Sequence, residues 1–198
     1  MRLARFGDLV LVTRPGIVMT PRPAGRRLVD SALGLLGGHP AVVADVGTGC
    51  GALALAIASA APRACVWPTD TSPAAVALAR ENVRRHDLGG RVIVREGDLL
   101  DPVPGALDLV VANLPYLPTG ERGLDPDLAG EPEEAVFAAG DGLGLYRRLI
   151  DACEERLATE GSLVVQFRRR VLVAGRGELD VLRDRLEDEA DLALEAAA

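Results

Sequence analysis

Aromatic side chains are scarce in this sequence: Phe, Trp and Tyr together make up 3% of its 198 residues. A core built on stacked rings is therefore excluded, and the apolar volume must come from Ala, Val and Leu. Cysteine is equally sparse. Cys50, Cys65 and Cys153 stand far apart, with no CxxC spacing and no Cys/His cluster, so no metal site is expected. Three scattered thiols fit a reducing, cytoplasmic compartment better than a disulfide scaffold. Positive charge is short as well: 22 Lys and Arg against 29 Asp and Glu leave a formal net charge of −7. Affinity for nucleic acid rests mainly on basic side chains that neutralise phosphates, so a nucleic-acid partner is disfavoured. The run "RRR" at Arg168–Arg170 is a candidate local exception and reads as a solvated surface run. No stretch reaches membrane-spanning length, and the apolar run within "MRLARFGDLVLVTRPG" is too short for a signal peptide.

What is present is a regular alternation. The length suits one domain with a full core, and 48% hydrophobic with 26% charged residues is ordinary for a globular chain. In "TPRPAGRRLVDSALGLL" two prolines precede a helical pattern with Leu28, Val29, Ala32, Leu35 and Leu36 on one face, stopped by Gly37-Gly38. "AVVADVG" is a short apolar strand of the kind buried on both faces of a parallel sheet. "GALALAIASAA" follows as a helix, then "ACVWPTD" as a strand. "SPAAVALARENVRRHDL" is a helix with Ser72 as N-cap and Pro73 in its first turn, ended by Gly89-Gly90. "RVIVREGD" and "LDLVVAN" are further strands, "GLGLYRRLIDACEERLATEG" is a helix, and "SLVVQF" is the fifth strand. An acidic amphipathic helix over Glu178–Asp191, with a solvated face, precedes a tail, "LALEAAA", that could be strand, helix end or disorder. Five strands interleaved with helices predict an α/β fold with a doubly wound, mostly parallel sheet.

In that architecture ligands bind at the carboxyl ends of the strands. The first strand ends in Asp45-Val46-Gly47-Thr48-Gly49-Cys50-Gly51, where alternate glycines let the chain turn tightly and bring backbone close to a ligand before a helix N-terminus. Gly47, Gly49 and Ala52 also satisfy the loose dinucleotide fingerprint. Asp45 argues against it, since an anion there would face the diphosphate of NAD. It suits a cationic ligand such as the amino-acid part of S-adenosylmethionine. Asp70, at the end of the second strand, has the spacing of a ribose-binding acid, although "DTSP" also resembles helix capping. Asp98 can accept from an adenine amino group while Leu99 packs on the ring. The fourth strand ends in Asn113-Leu114-Pro115-Tyr116. Pro115 pushes Leu114 to an extended conformation, so the Asn113 side-chain oxygen and the Leu114 carbonyl could converge on one N–H2 group. Tyr116 could stack on a planar amide or base. Three other residues read as structural: His39 and His86 lie in surface turns, and Trp67 packs near the sheet edge. Cys50 reads as a small packing residue without a histidine partner.

Taken in this order, these motifs resemble a class I S-adenosylmethionine-dependent methyltransferase acting on nitrogen. "TPRPAGRRLV" and the segment Glu131–Cys153, "EPEEAVFAAGDGLGLYRRLIDAC", are similar to the HemK/PrmC family of protein-glutamine N5-methyltransferases, over about Val18 to Gln166. The resemblance implies that Asn113 and the Leu114 carbonyl bind the acceptor amide nitrogen beside Pro115, with Tyr116 on its plane. It implies S-adenosylmethionine as cofactor, held by Asp45, the loop of Gly47, Thr48, Gly49 and Gly51, and by Asp70, Asp98, Leu99 and Asn113. The implied acceptor is a glutamine of a peptide-chain release factor. Several residues depart from the family's pattern: Leu114 replaces a proline, as in the similar motif of rRNA adenine dimethylases, and Gln166 replaces the acid usual at the fifth strand. Ala24-Gly25 replace a polar pair. No helical substrate-recognition domain and no pair of terminal antiparallel strands is expected, and a small partner protein is, as for single-domain relatives. The expected organisation is one methyltransferase domain over 1–198: an N-terminal segment 1–25, a cofactor-binding core 26–167 and a C-terminal helix and tail 168–198. N-methylation of a small molecule or of adenine, and a non-catalytic cofactor-binding subunit, are the alternatives.

Overall fold

The structure, a computed structural model, describes residues 1–121 and 128–197. In chain order its elements are β1 (Arg2–Phe6), β2 (Leu9–Thr13), α1 (Gly25–Leu36), β3 (Ala41–Val46), α2 (Ala52–Ala60), β4 (Ala64–Asp70), α3 (Pro73–Arg85) and β5 (Arg95–Glu96). There follow β6 (Leu107–Ala112), β7 (Leu117–Pro118), β8 (Phe137–Ala138), α4 (Gly144–Arg156), β9 (Leu157–Phe167), β10 (Arg170–Gly175) and α5 (Leu179–Ala197). The main sheet has the order β10-β9-β6-β3-β4-β5. All pairs in it are parallel except β9 with β10. The expected doubly wound, mostly parallel α/β sheet is therefore present.

Alternating side chains of the central strands feed two cores, one on each face. Val43, Val66, Leu109, Val111 and Val164 pack against α1, α2, α3 and the β1–β2 hairpin. Ala44, Val46, Val110, Ala112, Leu163 and Val165 pack against α4 and α5. This period-two partition explains why the strands read as unbroken apolar runs: both faces are covered. Each fully buried Val or Leu contributes about 1.5–3 kcal/mol.

Local chemistry sets the helix ends. Gly37 takes a left-handed conformation (φ 53°) and closes α1, and Ser72 accepts a hydrogen bond from the Ala75 amide at 3.3 Å with Pro73 behind it. α2 has no side-chain cap at its own N-cap residue, Gly51. That end is supported from beneath by Asp45, as described below.

Several expectations are corrected. The N-terminal stretch forms a hairpin around Gly7-Asp8, with β1 and β2 antiparallel. Its signal is a Gly-Asp pair between two β-prone runs, which a search for a leader passes over. One antiparallel strand, β10, does follow β9, because Arg168 adopts a left-handed turn (φ 52°) that reverses the chain. Leu35 is exposed, since 100° per residue carries it off the apolar face of α1. α3 stops at His86, before Gly89-Gly90, and the third strand shrinks to Arg95–Glu96 with a single bridge from Val66 to Val92. The acidic helix has a solvated face, and its other face buries Leu179, Leu182, Leu186 and Ala190 against the sheet. The tail continues α5 to Ala197, and Ala198 lies outside the described residues. No described helix is long and apolar enough to cross a membrane.

The hairpin is locked to the core by Asn82 of α3, which is fully buried. Its Oδ1 accepts from the Val12 amide at 2.8 Å, and its Nδ2 donates to the Val12 carbonyl at 3.0 Å and the Cys50 carbonyl at 2.9 Å. Asn82→Ala orphans those backbone groups and is expected to cost about 3 kcal/mol. Chemical denaturation with hydrogen exchange at Val12 measures this. A loss within about 0.5 kcal/mol, the range of an ordinary surface substitution, counts against the lock.

Candidate active site

The strand order reverses between β3 and β6, so a crevice opens at their carboxyl ends. The loop leaving β3 is held by its neighbour β4. The Gly47 and Thr48 amides both donate to the Thr69 carbonyl at 2.9 Å, and the Gly49 amide donates to Asp70 Oδ2 at 2.9 Å. Asp70 Oδ1 in turn accepts from the Ser72 amide at 2.9 Å, which ties the loop to the start of α3. Gly47 (φ 70°) is required on two grounds: its conformation, and a Cβ that would lie 2.8 Å from Leu114 Cδ2.

Asp45 lies under this loop, completely buried. Its Oδ2 accepts from the Thr48 hydroxyl at 2.6 Å and from the Ala54 amide at 3.1 Å, so it supplies the N-terminal support that α2 lacks. Its Oδ1 is buried with no hydrogen-bond partner. Burial pushes its carboxyl up to about 6, against the pull of the Thr48 and Ala54 bonds. Burial also raises Asp70, opposed by backbone amides including those of Ser72 and Gly49.

Two adjoining cavities, of about 340 and 190 Å³, share Met19, Gly47, Gly49, Asn113, Leu114 and Pro115. The smaller is also lined by Asp70, Asp98 and Leu99, and the larger by Thr48, Tyr116 and Gln166. The structure thus gathers Gly47, Thr48, Gly49, Asp70, Asp98, Leu99 and Asn113–Tyr116 around one crevice. It does not bring Asp45 or Gly51 to it. Sequence reading sets Asp45 against the ligand, whereas its side chain points beneath the loop, and Gly51 turns the chain into α2 behind it. Asp98 ion-pairs with Arg148 of α4, and the Thr69 hydroxyl holds the Leu99 carbonyl at 2.8 Å while Leu99 itself takes a left-handed φ of 44°.

Around the Asn113 motif, packing does the positioning. Tyr146, buried on α4, donates its hydroxyl to the Gln166 carbonyl at 2.5 Å and reaches the Leu114 carbonyl at 3.1 Å. The ends of β6 and β9 are bridged at one point as a result. Phe167 packs between Tyr146 (5.6 Å, edge-on) and Tyr116 (5.3 Å, tilted). Gly142, in the Asp-Gly-Leu segment, lets that loop sit against the Tyr116 carbonyl where a Cβ would collide. Glu131 Oε2 accepts from the Thr20 amide at 3.0 Å and draws the second similar segment over the first.

The smaller readings fare unevenly. Of the arginine run, Arg168 is a half-buried partner of Glu121 at 2.6 Å, Arg170 pairs with Glu189 at 2.7 Å, and Arg169 is exposed at the larger cavity's wall. The solvated-surface reading holds for the last two residues and fails for Arg168, which glutamate charge draws inward. Trp67 lies under Arg95, its ring centroid 5.3 Å from the guanidinium. Cys50 is buried packing, and burial pushes its thiol up to about 12. Tyr146 and Asn82 were not singled out by sequence reading. Each sits on a helix among polar residues, and nothing local marks it as a bridge.

Residues 25–124 match the family described as methyltransferase small domain. A release factor glutamine methyltransferase of Moorella thermoacetica is 41% identical over 153 residues, 76% of this chain and 54% of that protein. The corresponding protein of Deinococcus radiodurans is 39% identical over 161 residues, 80% of this chain and 57% of that one. The chain spans about half the length of these relatives. Among solved structures, a ribosomal protein L11 methylase of Lactobacillus delbrueckii subsp. bulgaricus matches with a TM-score of 0.53 at 24% identity, covering 76% of this chain and 63% of that one. A precorrin 8w decarboxylase of Methanobacterium thermoautotrophicum matches with a TM-score of 0.54 at 21% identity, covering 78% and 68%. Both share the fold.

Asp45 makes stability depend on pH. Its folded value of about 6 exceeds the ordinary 3.8, so the folded state binds the proton more tightly. Its contribution is complete below the ordinary value and is lost as pH rises through about 6. Relative to Asp45→Asn, wild-type stability is expected to fall by about 3 kcal/mol across that window. Urea unfolding at intervals between about pH 4 and 7 measures it. Parallel pH curves for the two proteins would contradict the assignment.

Proposed function

The chain belongs to the methyltransferase small domain family, and from that premise we propose that it is an S-adenosylmethionine-dependent N-methyltransferase whose acceptor is a protein glutamine side-chain amide of the release-factor type. The observation that carries this reading is the position of Asn113-Leu114-Pro115 at the junction of the two cavities, with Tyr116 on the larger one. One cavity suits the cofactor's nucleoside and the other an acceptor side chain, and the motif faces both. The curated relatives named release factor glutamine methyltransferases support the acceptor.

The residues fit the cofactor. Gly47 and Gly49 bring bare backbone to the cavity wall, and Asp70, Asp98 and Leu99 line the smaller cavity. When bound, S-adenosylmethionine supplies an electrophilic methyl on sulfur. Asp70 keeps lone pairs beyond its two backbone bonds with which to hold a ribose diol. Asp98 and Leu99 bind the adenine edge and face. Thr48 and the loop amides surround the amino-acid part, and Asp45 acts on it through the loop it supports.

On the acceptor side, the Asn113 side-chain oxygen and the Leu114 carbonyl accept the two amide hydrogens and so direct the nitrogen lone pair along one line. Tyr116 covers the carboxamide plane, and Leu53, Met19 and Phe6 of the cavity wall exclude water. Orientation and desolvation are the chain's contributions to the rate. Residues 1–198 act as one methyltransferase unit, in the reducing cytoplasm that three unpaired thiols suit.

Labelled methyl from S-adenosylmethionine is expected to appear on the glutamine of a Gly-Gly-Gln peptide or release factor. Asn113→Ala is expected to lower that transfer by about 100-fold, since the nucleophile loses its alignment. Calorimetry is expected to detect S-adenosylmethionine and not NAD. Absence of cofactor binding overturns the reading, and labelling of nucleic acid or of a small molecule instead replaces its acceptor.

A further inference from the structure

Thr69, the next-to-last residue of β4, is fully buried and lines the smaller cavity. It carries no charge and belongs to none of the motifs that mark the site, yet it joins two walls of the crevice. Its carbonyl accepts from the Gly47 and Thr48 amides, each at 2.9 Å, and so holds the glycine loop that leaves β3. Its hydroxyl donates to the Leu99 carbonyl at 2.8 Å, in the loop that leaves β5 on the other side. That second loop has one more tie to β4, the Gly97 amide on the Asp70 carbonyl at 3.1 Å. Asp98 stands between the two ties. Leu99 takes a φ of 44°, in the left-handed region that a leucine rarely adopts. A backbone of that cost persists only where its surroundings enforce it, and the buried Thr69 bond supplies enforcement at the strained residue itself.

We infer that Thr69 is a positioning residue that makes the site selective for an adenine base: its hydroxyl fixes the turn at Leu99, and that turn aims Asp98 at the exocyclic amino group. Leu99 packing on a ring is blind to the ring's substituents, so discrimination falls to Asp98, whose carboxylate accepts hydrogen bonds and donates none. Asp98 pairs through Oδ2 with Arg148, which leaves Oδ1 for the amino group. Its aim depends on the loop between Gly97 and Leu99, and without the hydroxyl the Leu99 carbonyl is an orphaned acceptor in a strained turn. The glycine loop does not share this dependence. It is held by the Thr69 main chain, which any substitution leaves in place. The side chain therefore serves base recognition, while the backbone serves the rest of the cofactor. This inference rests on the S-adenosylmethionine reading of the crevice.

The test measures, by calorimetry, the affinity of S-adenosylhomocysteine and of its analogue lacking the exocyclic amino group of the base. Wild type is expected to bind the adenine form about 10-fold more tightly, the equivalent of one charge-assisted hydrogen bond. Thr69→Val keeps the shape and removes the donor. It is expected to reduce that preference to about twofold, through weaker binding of the adenine form. Thr69→Ser restores the donor and is expected to keep the wild-type preference. Thr69→Cys, a weaker donor, is expected to fall between, and keeps the series readable should Thr69→Val not fold. Adding Thr69→Val to Asp98→Ala is expected to change the preference no further, because Thr69 acts through Asp98. An unaltered preference in Thr69→Val overturns the inference. So does equal weakening of both ligands, which would make the hydroxyl general support for the fold. Wild type that binds the adenine form without preferring it also overturns the inference and leaves the cofactor reading standing. Wild type that binds neither ligand overturns the cofactor reading itself, and this inference with it.

Discussion

The crevice takes its shape from a short glycine loop that makes few bonds of its own, so the groups gripping it from outside decide where every other site residue can stand. Asp45 grips it from below, through the Thr48 hydroxyl and the first turn of α2. The Thr69 carbonyl and the Asp70 carboxylate grip it from the side. Asp45 sits in a fully buried position that penalises its charge, and the raised carboxyl records that penalty. The penalty falls at the floor of the crevice, where the buried anion holds the loop rigid.

A second constraint sits across the crevice. The chain leaving β6 must be held still to present Asn113, and backbone beyond a sheet has no ladder to hold it. Tyr146 substitutes for the ladder, reaching up from the α4 side to the Leu114 and Gln166 carbonyls. Phe167 then wedges Tyr146 and Tyr116 into a fixed relation. Three of the six aromatic residues, Tyr116, Tyr146 and Phe167, meet at this platform. The proposed acceptor chemistry depends on that platform, since alignment is what the chain has to supply.

Much of the architecture was legible because its signals are local. Gly37 ends α1, Ser72-Pro73 begins α3, and apolar runs of six or seven residues bounded by turn residues are strands in a covered sheet. The hairpin has a local signal too, Gly7-Asp8 between two β-prone runs. β10 was missed because the turn before it falls on Arg168, a residue type that rarely announces a left-handed conformation. Leu35 and the length of α3 were misplaced by a fraction of a turn, the margin within which helix periodicity is read.

The order of elements, their alternating burial, the glycine turn and the Asn113 motif were determined by the sequence itself, because each depends on residues within a few positions of one another. Tertiary structure decided what those pieces do together. It sent Asp45 beneath the loop and ran Asn82 across to a hairpin 70 residues away. It brought Tyr146 to Leu114 across 32 positions, and it buried the Gln166 amide oxygen without a hydrogen-bond partner. Such facts are sums over partners distant in the chain. A side chain's burial, and hence its charge and its unmet hydrogen bonds, exists only once the sheet has brought those partners side by side.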